Sequence, residues 1–214
     1  MKKTILFFIS FISLFNYSIG QKPAFGITSG ATFGSYKIKA GSFSVTSKIK
    51  PGFSAGVQAW VPTGKSFSFI PALNFIQKGG TLKEEGSEEK TTLNYIEIPF
   101  NVVYNTSSTK GTFFIGAGPS LSYGISGKDK WKSNGQNGDD KIKFGSGDED
   151  HFKPFEMGIN LLAGYRFKGG FMVSGNYNIG LSDSSKNSNE IENTSYHNSY
   201  FGISIGYIFS GNKK

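Results

Sequence analysis

The sequence predicts an all-β fold, an eight-stranded antiparallel up-and-down transmembrane β-barrel, and three observations carry that reading. Eight stretches alternate bulky apolar residues with small or polar ones, which is the side-chain period of a strand. Each runs to roughly 12–15 residues, longer than is usual in soluble sheets and enough for a tilted membrane strand. The connections between them are alternately short and long, as expected for a barrel with tight turns on one side of a membrane and loops on the other.

The elements follow in chain order. Residues 1–20 read as an export signal: Lys2 and Lys3 make a positive start, an apolar run fills 5–15, and Ser18-Ile19-Gly20 places small residues where a signal peptidase reads. That run is too short for a spanning helix, which needs about 20 residues. Cleavage is expected before Gln21, leaving 21–214 as one barrel domain, and no cysteine follows that could carry a lipid. The strands are expected near 23–36, 50–62, 66–78, 91–104, 111–125, 154–167, 170–182 and 198–209. The last shows the pattern most cleanly: Phe201, Ile203, Ile205, Tyr207 and Phe209 fall on one face, and Gly202, Ser204 and Gly206 on the other.

Connections at 62–65, 105–110 and 168–169 are brief and rich in turn formers. Those near 37–49, 79–90, 126–153 and 183–197 are long and crowded with Lys, Glu, Asp, Asn and Ser. Short turns belong in the periplasm, and an even strand count returns the chain to its starting side. Both termini are therefore expected in the periplasm and the four long loops outside the cell. Pro71, Pro99 and Pro119 fall inside expected strands; in a ring without edges each should sit at a bulge or a rim.

Side-chain size decides which face points inward. In the second strand Phe53, Ala55, Val57, Ala59 and Val61 oppose Gly52, Ser54, Gly56, Gln58 and Trp60. In the seventh, Phe171, Val173, Tyr177, Ile179 and Leu181 oppose Ser174, Asn176, Asn178 and Gly180. An eight-stranded ring has room inside only for side chains, so the small polar face turns in and the bulky apolar face meets lipid. A soluble carrier with an apolar cavity would need the reverse, and a filled interior argues against a diffusion pore.

Composition excludes other classes. The formal charge of +8 falls by two when Lys2 and Lys3 leave, and the remaining lysines are dispersed through connections rather than set on a basic helix, so no nucleic-acid partner is expected. With no cysteine, stability must come from hydrogen bonding and packing. A mean hydropathy of -0.26 and the lack of a second long apolar run exclude a helical membrane protein.

Several ordered segments carry a resemblance: Pro51-Gly52-Phe53-Ser54-Ala55-Gly56-Val57, Pro71-Ala72-Leu73-Asn74-Phe75-Ile76-Gln77-Lys78-Gly79, Leu93-Asn94-Tyr95-Ile96-Glu97-Ile98-Pro99-Phe100, Gly116-Ala117-Gly118-Pro119, Gly164-Tyr165-Arg166-Phe167 and Tyr177-Asn178-Ile179-Gly180-Leu181. In this order, from about residue 24 to 209, the chain resembles the PorT-like family of small outer-membrane β-barrel proteins. The resemblance implies an eight-stranded barrel in the outer membrane, prolines at the same three points, and a role for the namesake in secreting proteins across that membrane.

Candidate site residues are few. Glu97, Glu156 and Arg166 fall on the inward parity of their strands, and enclosed charges are expected to pair. Glu156 and Arg166 stand about 33 Å apart along one strand, so Glu97 with Arg166 is the expected pair. Its bland role is a lumen plug that fixes register; a proton- or ligand-sensing site is the sharper one. Lys37, Lys39, Lys48, Lys50, Lys78, Lys128, Lys130, Lys132 and Lys153 are expected near the external strand ends, where some would meet glycolipid phosphates. His151 and His197, the latter beside Ser195 and Ser199, are the only histidines; a lipid-modifying enzyme would need one of them oriented on a nucleophile. Asp139-Asp140 and Asp148-Glu149-Asp150 match no calcium-loop spacing, so neither metal nor cofactor is expected. The expected protein is a monomeric, non-enzymatic barrel with lipid and envelope or secretion proteins as partners, the alternatives being a surface adhesin or a lipid-modifying barrel enzyme.

Overall fold

The computed structural model describes residues 23–145, 147, 150–185 and 194–209; the expected signal and cleavage site, and Asp148 and Glu149, lie outside them. Ten strands are present: β1 Ala24–Ala40, β2 Phe43–Thr46, β3 Lys48–Pro62, β4 Phe67–Glu84, β5 Ser87–Ser107, β6 Gly111–Ser133, β7 Gln136–Ile142, β8 Phe155–Phe167, β9 Phe171–Gly180 and β10 Thr194–Phe209. Eight of them pair with their neighbours, antiparallel throughout, in the order β1-β3-β4-β5-β6-β8-β9-β10. The last seam closes the ring: β1 meets β10 without interruption from Phe25 opposite Phe209 to Ala40 opposite Thr194. Closure pairs each of the eight ring strands on both sides, which a spanning structure in hydrocarbon requires; only β2 and β7, beyond the ring, keep a free edge.

The alternation places side chains as their size demands. Along β10, Phe201, Ile203, Ile205, Tyr207 and Phe209 are exposed, Ile205 at 56%, while Ile208 on the opposite parity is 2% exposed. The same outward apolar column recurs on β1 with Phe25 and Ile27, and on β8 with Phe155, Met157, Ile159 and Leu161. The tight turns and both described chain ends share one end of the ring, here the turn end; the long connections share the other, the loop end.

Three of the long connections are largely strand rather than loop. β4 and β5 stay paired to Glu84 opposite Ser87, β5 and β6 to Ser87 opposite Ser133, and β7 adds itself to β6 from Ser133 opposite Gln136 to Gly127 opposite Ile142. The segments expected as loops at 79–90 and over the first half of 126–153 therefore form a sheet that continues past the ring. Apart from Leu82 and Ile142 at its base, which join the interior, its residues are mostly polar on both faces, so no apolar alternation marks them. β2 extends β1 in a smaller hairpin.

The prolines also differ from expectation. Pro71 opposes Phe100 and the next recorded pair on that seam, Asn74 with Glu97, keeps the same register. Pro99 opposes Ser120, and the register holds through to Val102 opposite Ala117. The prolines thus border short lapses in the ladder rather than bulges; skipping a pair or two removes the missing donor without shifting the strands. Register does shift beside Pro51, between Ile49 and Ser54.

The interior is layered. At the turn end Trp60, Ile70, Val103, Phe114, Met172 and Ile208 form an apolar cluster, with Trp60 edge-on to Phe114 at 5.0 Å. At the loop end Tyr36, Leu93, Tyr95, Ile142 and Tyr196 form a second, roofed by Phe144 against Tyr95 and Phe152 against Tyr196. Each such side chain is worth about 1.5–3 kcal/mol when fully buried. The interior is consequently less uniformly small and polar than expected: large inward side chains stopper both ends, and polar groups are held between them.

Candidate functional site

Strand parity builds the central cluster. Lys78 shares its parity on β4 with Ile70 and Ile76, both inward. Glu97 lies on β5 between inward Tyr95 and Pro99, and Glu156 begins β8 on its inward side. The three converge in the lumen at 4%, 1% and 3% exposure. The Lys78 ammonium is 3.1 Å from Glu97 Oε2 and 3.5 Å from Glu156 Oε2, donates to Ser122 Oγ at 3.1 Å, and sits over the rings of Tyr95 and Tyr200.

Both carboxylates are otherwise saturated by donors. Glu97 accepts from Ser122 Oγ at 2.9 Å and from the Tyr200 hydroxyl at 2.6 Å. Glu156 accepts from the Tyr95 hydroxyl, from Ser184 Oγ at 2.8 Å and from Asn198 Nδ2 at 2.7 Å. One cation against two acids would be costly in a dry interior, and the hydroxyl and amide donors offset the surplus negative charge. The donors come from β5, β6, β10 and the segment after β9, so the cluster ties opposite sides of the ring together.

Expectation therefore needs two corrections. Glu97 does not pair with Arg166: the Arg166 guanidinium stacks on Trp60 at 4.6 Å, at the turn end. Lys78 is no rim lysine either; β4 continues to Glu84, which leaves Lys78 in mid-strand on the inward parity. Tyr95, Tyr200, Asn198, Ser122 and Ser184 were missed, although the first four could have been found by parity on β5, β10 and β6. Ser184 lies outside any strand and had no such signal.

Between the charge cluster and the turn-end stopper lies a cavity of about 60 Å³, lined in part by Asn74, Asn101, Asn160, Asn176 and Tyr200. Asn176 donates to Asn160 and Asn160 to Asn101, at 3.1 and 3.0 Å. It is polar and large enough to hold a few waters.

The other candidates are dispersed. Lys128 pairs with Asp139 on the extension, and its hydrogen bond and charge hold that carboxyl below its ordinary range. Lys130 opposes Asp139, and Lys132 opposes Asn137, in the β6–β7 register. Lys153 Nζ reaches the Asp183 carbonyl at 3.5 Å. Lys48 and the half-buried Lys50 open β3, whereas Lys37 and Lys39 close β1. His151 Nδ1 accepts the Lys143 N–H, His197 stands opposite Lys37, and among the described residues neither is hydrogen-bonded to a serine hydroxyl. Asp140 accepts from the Trp131 indole and Asp150 from the Gly147 N–H; among the described residues no group of acidic or histidine side chains is arranged to hold a metal.

Solved structures similar to this chain are small outer-membrane proteins. The attachment invasion locus protein Ail of Yersinia pestis aligns at 15% identity and a TM-score of 0.44, over 88% of this chain and 100% of its own. Neisserial surface protein A aligns at 11% identity and 0.45, over 88% and 100%. The outer membrane protein OprG of Pseudomonas aeruginosa aligns at 10% and 0.36, over 89% and 98%. No curated protein matches the chain. The family described as "Outer membrane protein beta-barrel domain" matches residues 20–186, most of the sequence, and the chain belongs to that family.

Proposed function

We propose that this chain is an eight-stranded transmembrane barrel with both termini in the periplasm, acting without catalysis as a surface interaction module. The observation that supports this reading most is the sheet of β4, β5, β6 and β7, which runs on past the lipid-facing belt as a stiff, polar projection. A stoppered lumen offers no passage, so the projection is where contact with another molecule can occur. Its charged residues are partly matched among themselves, Lys83 and Lys90 with Glu88 and Lys128 with Asp139; these exposed pairs balance the blade's charge more than they stabilise it.

A second reading has its own observation. A groove of about 300 Å³ at the turn end is lined by Ser108, Arg166 and Lys168 among others, which suits a periplasmic partner such as the secretion role implied by the resemblance. A photocrosslinking side chain placed at Asn137 on β7, or at Lys65 in a short turn, separates the two in living cells. Discrete adducts at 137 alone are expected. Adducts at 65 alone would replace surface recognition with the periplasmic role.

A further inference from the structure

We infer that the groove between β1, β2, β9 and β10 at the loop end binds the phosphate of a membrane glycolipid. Among the described residues the charges of the rim are segregated around the ring. No acidic residue precedes Glu84 and none follows Glu192, so β1 and β3 carry lysines without a single carboxylate, and β2 and β10 carry neither lysine nor carboxylate. The surface ion pairs of the described residues lie on the opposite flank, on β4 to β7. Among the described residues Lys37 and Lys39 have no carboxylate within ion-pair distance. Asp183 reaches this flank, but its Oδ1 accepts the N–H groups of Ser185 and Tyr196.

Parity directs these cations toward lipid. Lys37 and Lys39 continue the outward column of β1 that begins with Phe25 and Ile27, and His197 continues the outward column of β10 above Phe201. Lys37 stands opposite His197 on one side and Thr46 on the other. With Lys39 they line a groove of about 400 Å³ whose remaining wall includes Tyr177 and Leu181, exposed apolar residues of the lipid belt. Two ammoniums, an imidazole and a hydroxyl directly above an apolar wall match an anionic headgroup whose acyl chains lie against the barrel. A soluble anion would gain nothing from Tyr177 and Leu181, so the phosphate of a bilayer lipid is the fitting source. That the leaflet is the outer one, and the lipid a glycolipid, rests on the orientation proposed above.

The test uses the full chain, refolded in detergent and titrated with a bisphosphorylated diglucosamine glycolipid, its dephosphorylated form, or inorganic phosphate, with bound lipid counted by native mass spectrometry. Replacing Lys37 and Lys39 together by Gln should weaken the phosphorylated lipid roughly thirtyfold, each juxtamembrane charge counting for about fivefold. Lys→Arg at both positions should keep most of the affinity, and Lys130→Gln with Lys132→Gln should leave it unchanged. Equal losses in the two Gln pairs, equal binding of the dephosphorylated lipid, or full displacement by millimolar inorganic phosphate would overturn the assignment. Heat-modifiable migration on gels reports whether each variant has folded. Binding in micelles is blind to orientation: if the topology proved inverted while binding held, the site would stand and its ligand would be an inner-leaflet phospholipid.

Discussion

Lys78 holds the position on which the interior depends most. Its ammonium lies between two buried carboxylates and over two tyrosine rings, so deleting the charge would strand both acids. Lys78→Met should cost about 3–5 kcal/mol, the usual penalty for breaking a buried ion pair from one side. Glu97→Gln should cost only about 1–2 kcal/mol, because it leaves a balanced Lys78–Glu156 pair and an amide oxygen that still accepts from Tyr200. Urea unfolding in lipid vesicles, followed by the gel shift of the folded barrel, measures both. Equal stability in both variants would contradict a structural role for the cluster. The site was half legible beforehand: parity turned Glu97 and Glu156 inward, and the same count applied to Lys78 places it beside them. A strand ending at 78 hid that, because the charged residues from 83 onward read as solvated loop.

At the level of elements, the ring and the blade were not equally visible. Ring strands alternate because lipid on one side and a narrow lumen on the other demand different side chains, and that demand is written into Phe201 to Phe209 or Phe53 to Val61. The blade has water on both faces, so Lys128-Asp129-Lys130-Trp131-Lys132 carries no period that favours a strand over a loop. Its clearest local signal is Asn134-Gly135, with φ of 49° and 83°, positive at both central residues as the favoured hairpin turn requires. Gly135→Val should therefore destabilise the β6–β7 hairpin by about 1–3 kcal/mol. Amide exchange should show β7 losing protection while the β1–β10 seam keeps its own. A similar loss at both would mean that the blade and ring unfold as one unit.

For the whole molecule, the central consequence is a division of labour between a stoppered ring and what projects from it. Trp60 with Phe114 at one end, and Tyr95 with Phe144 and Phe152 at the other, enclose the charge cluster and the small cavity beneath it. Gly79, at φ 130°, follows Lys78 directly where β4 leaves the ring for the blade; a Cβ there would meet the Thr91 carbonyl at 2.0 Å. Function in this arrangement depends on which side of the membrane the blade occupies. The chain has no native cysteine, so a single one reports its own exposure. Asn134→Cys at the blade tip and Gly64→Cys in the opposite tight turn can be treated with a membrane-impermeant maleimide on intact cells. Labelling is expected at 134 on intact cells and at 64 only after lysis; labelling at 64 on intact cells, with 134 silent, would contradict the proposed orientation.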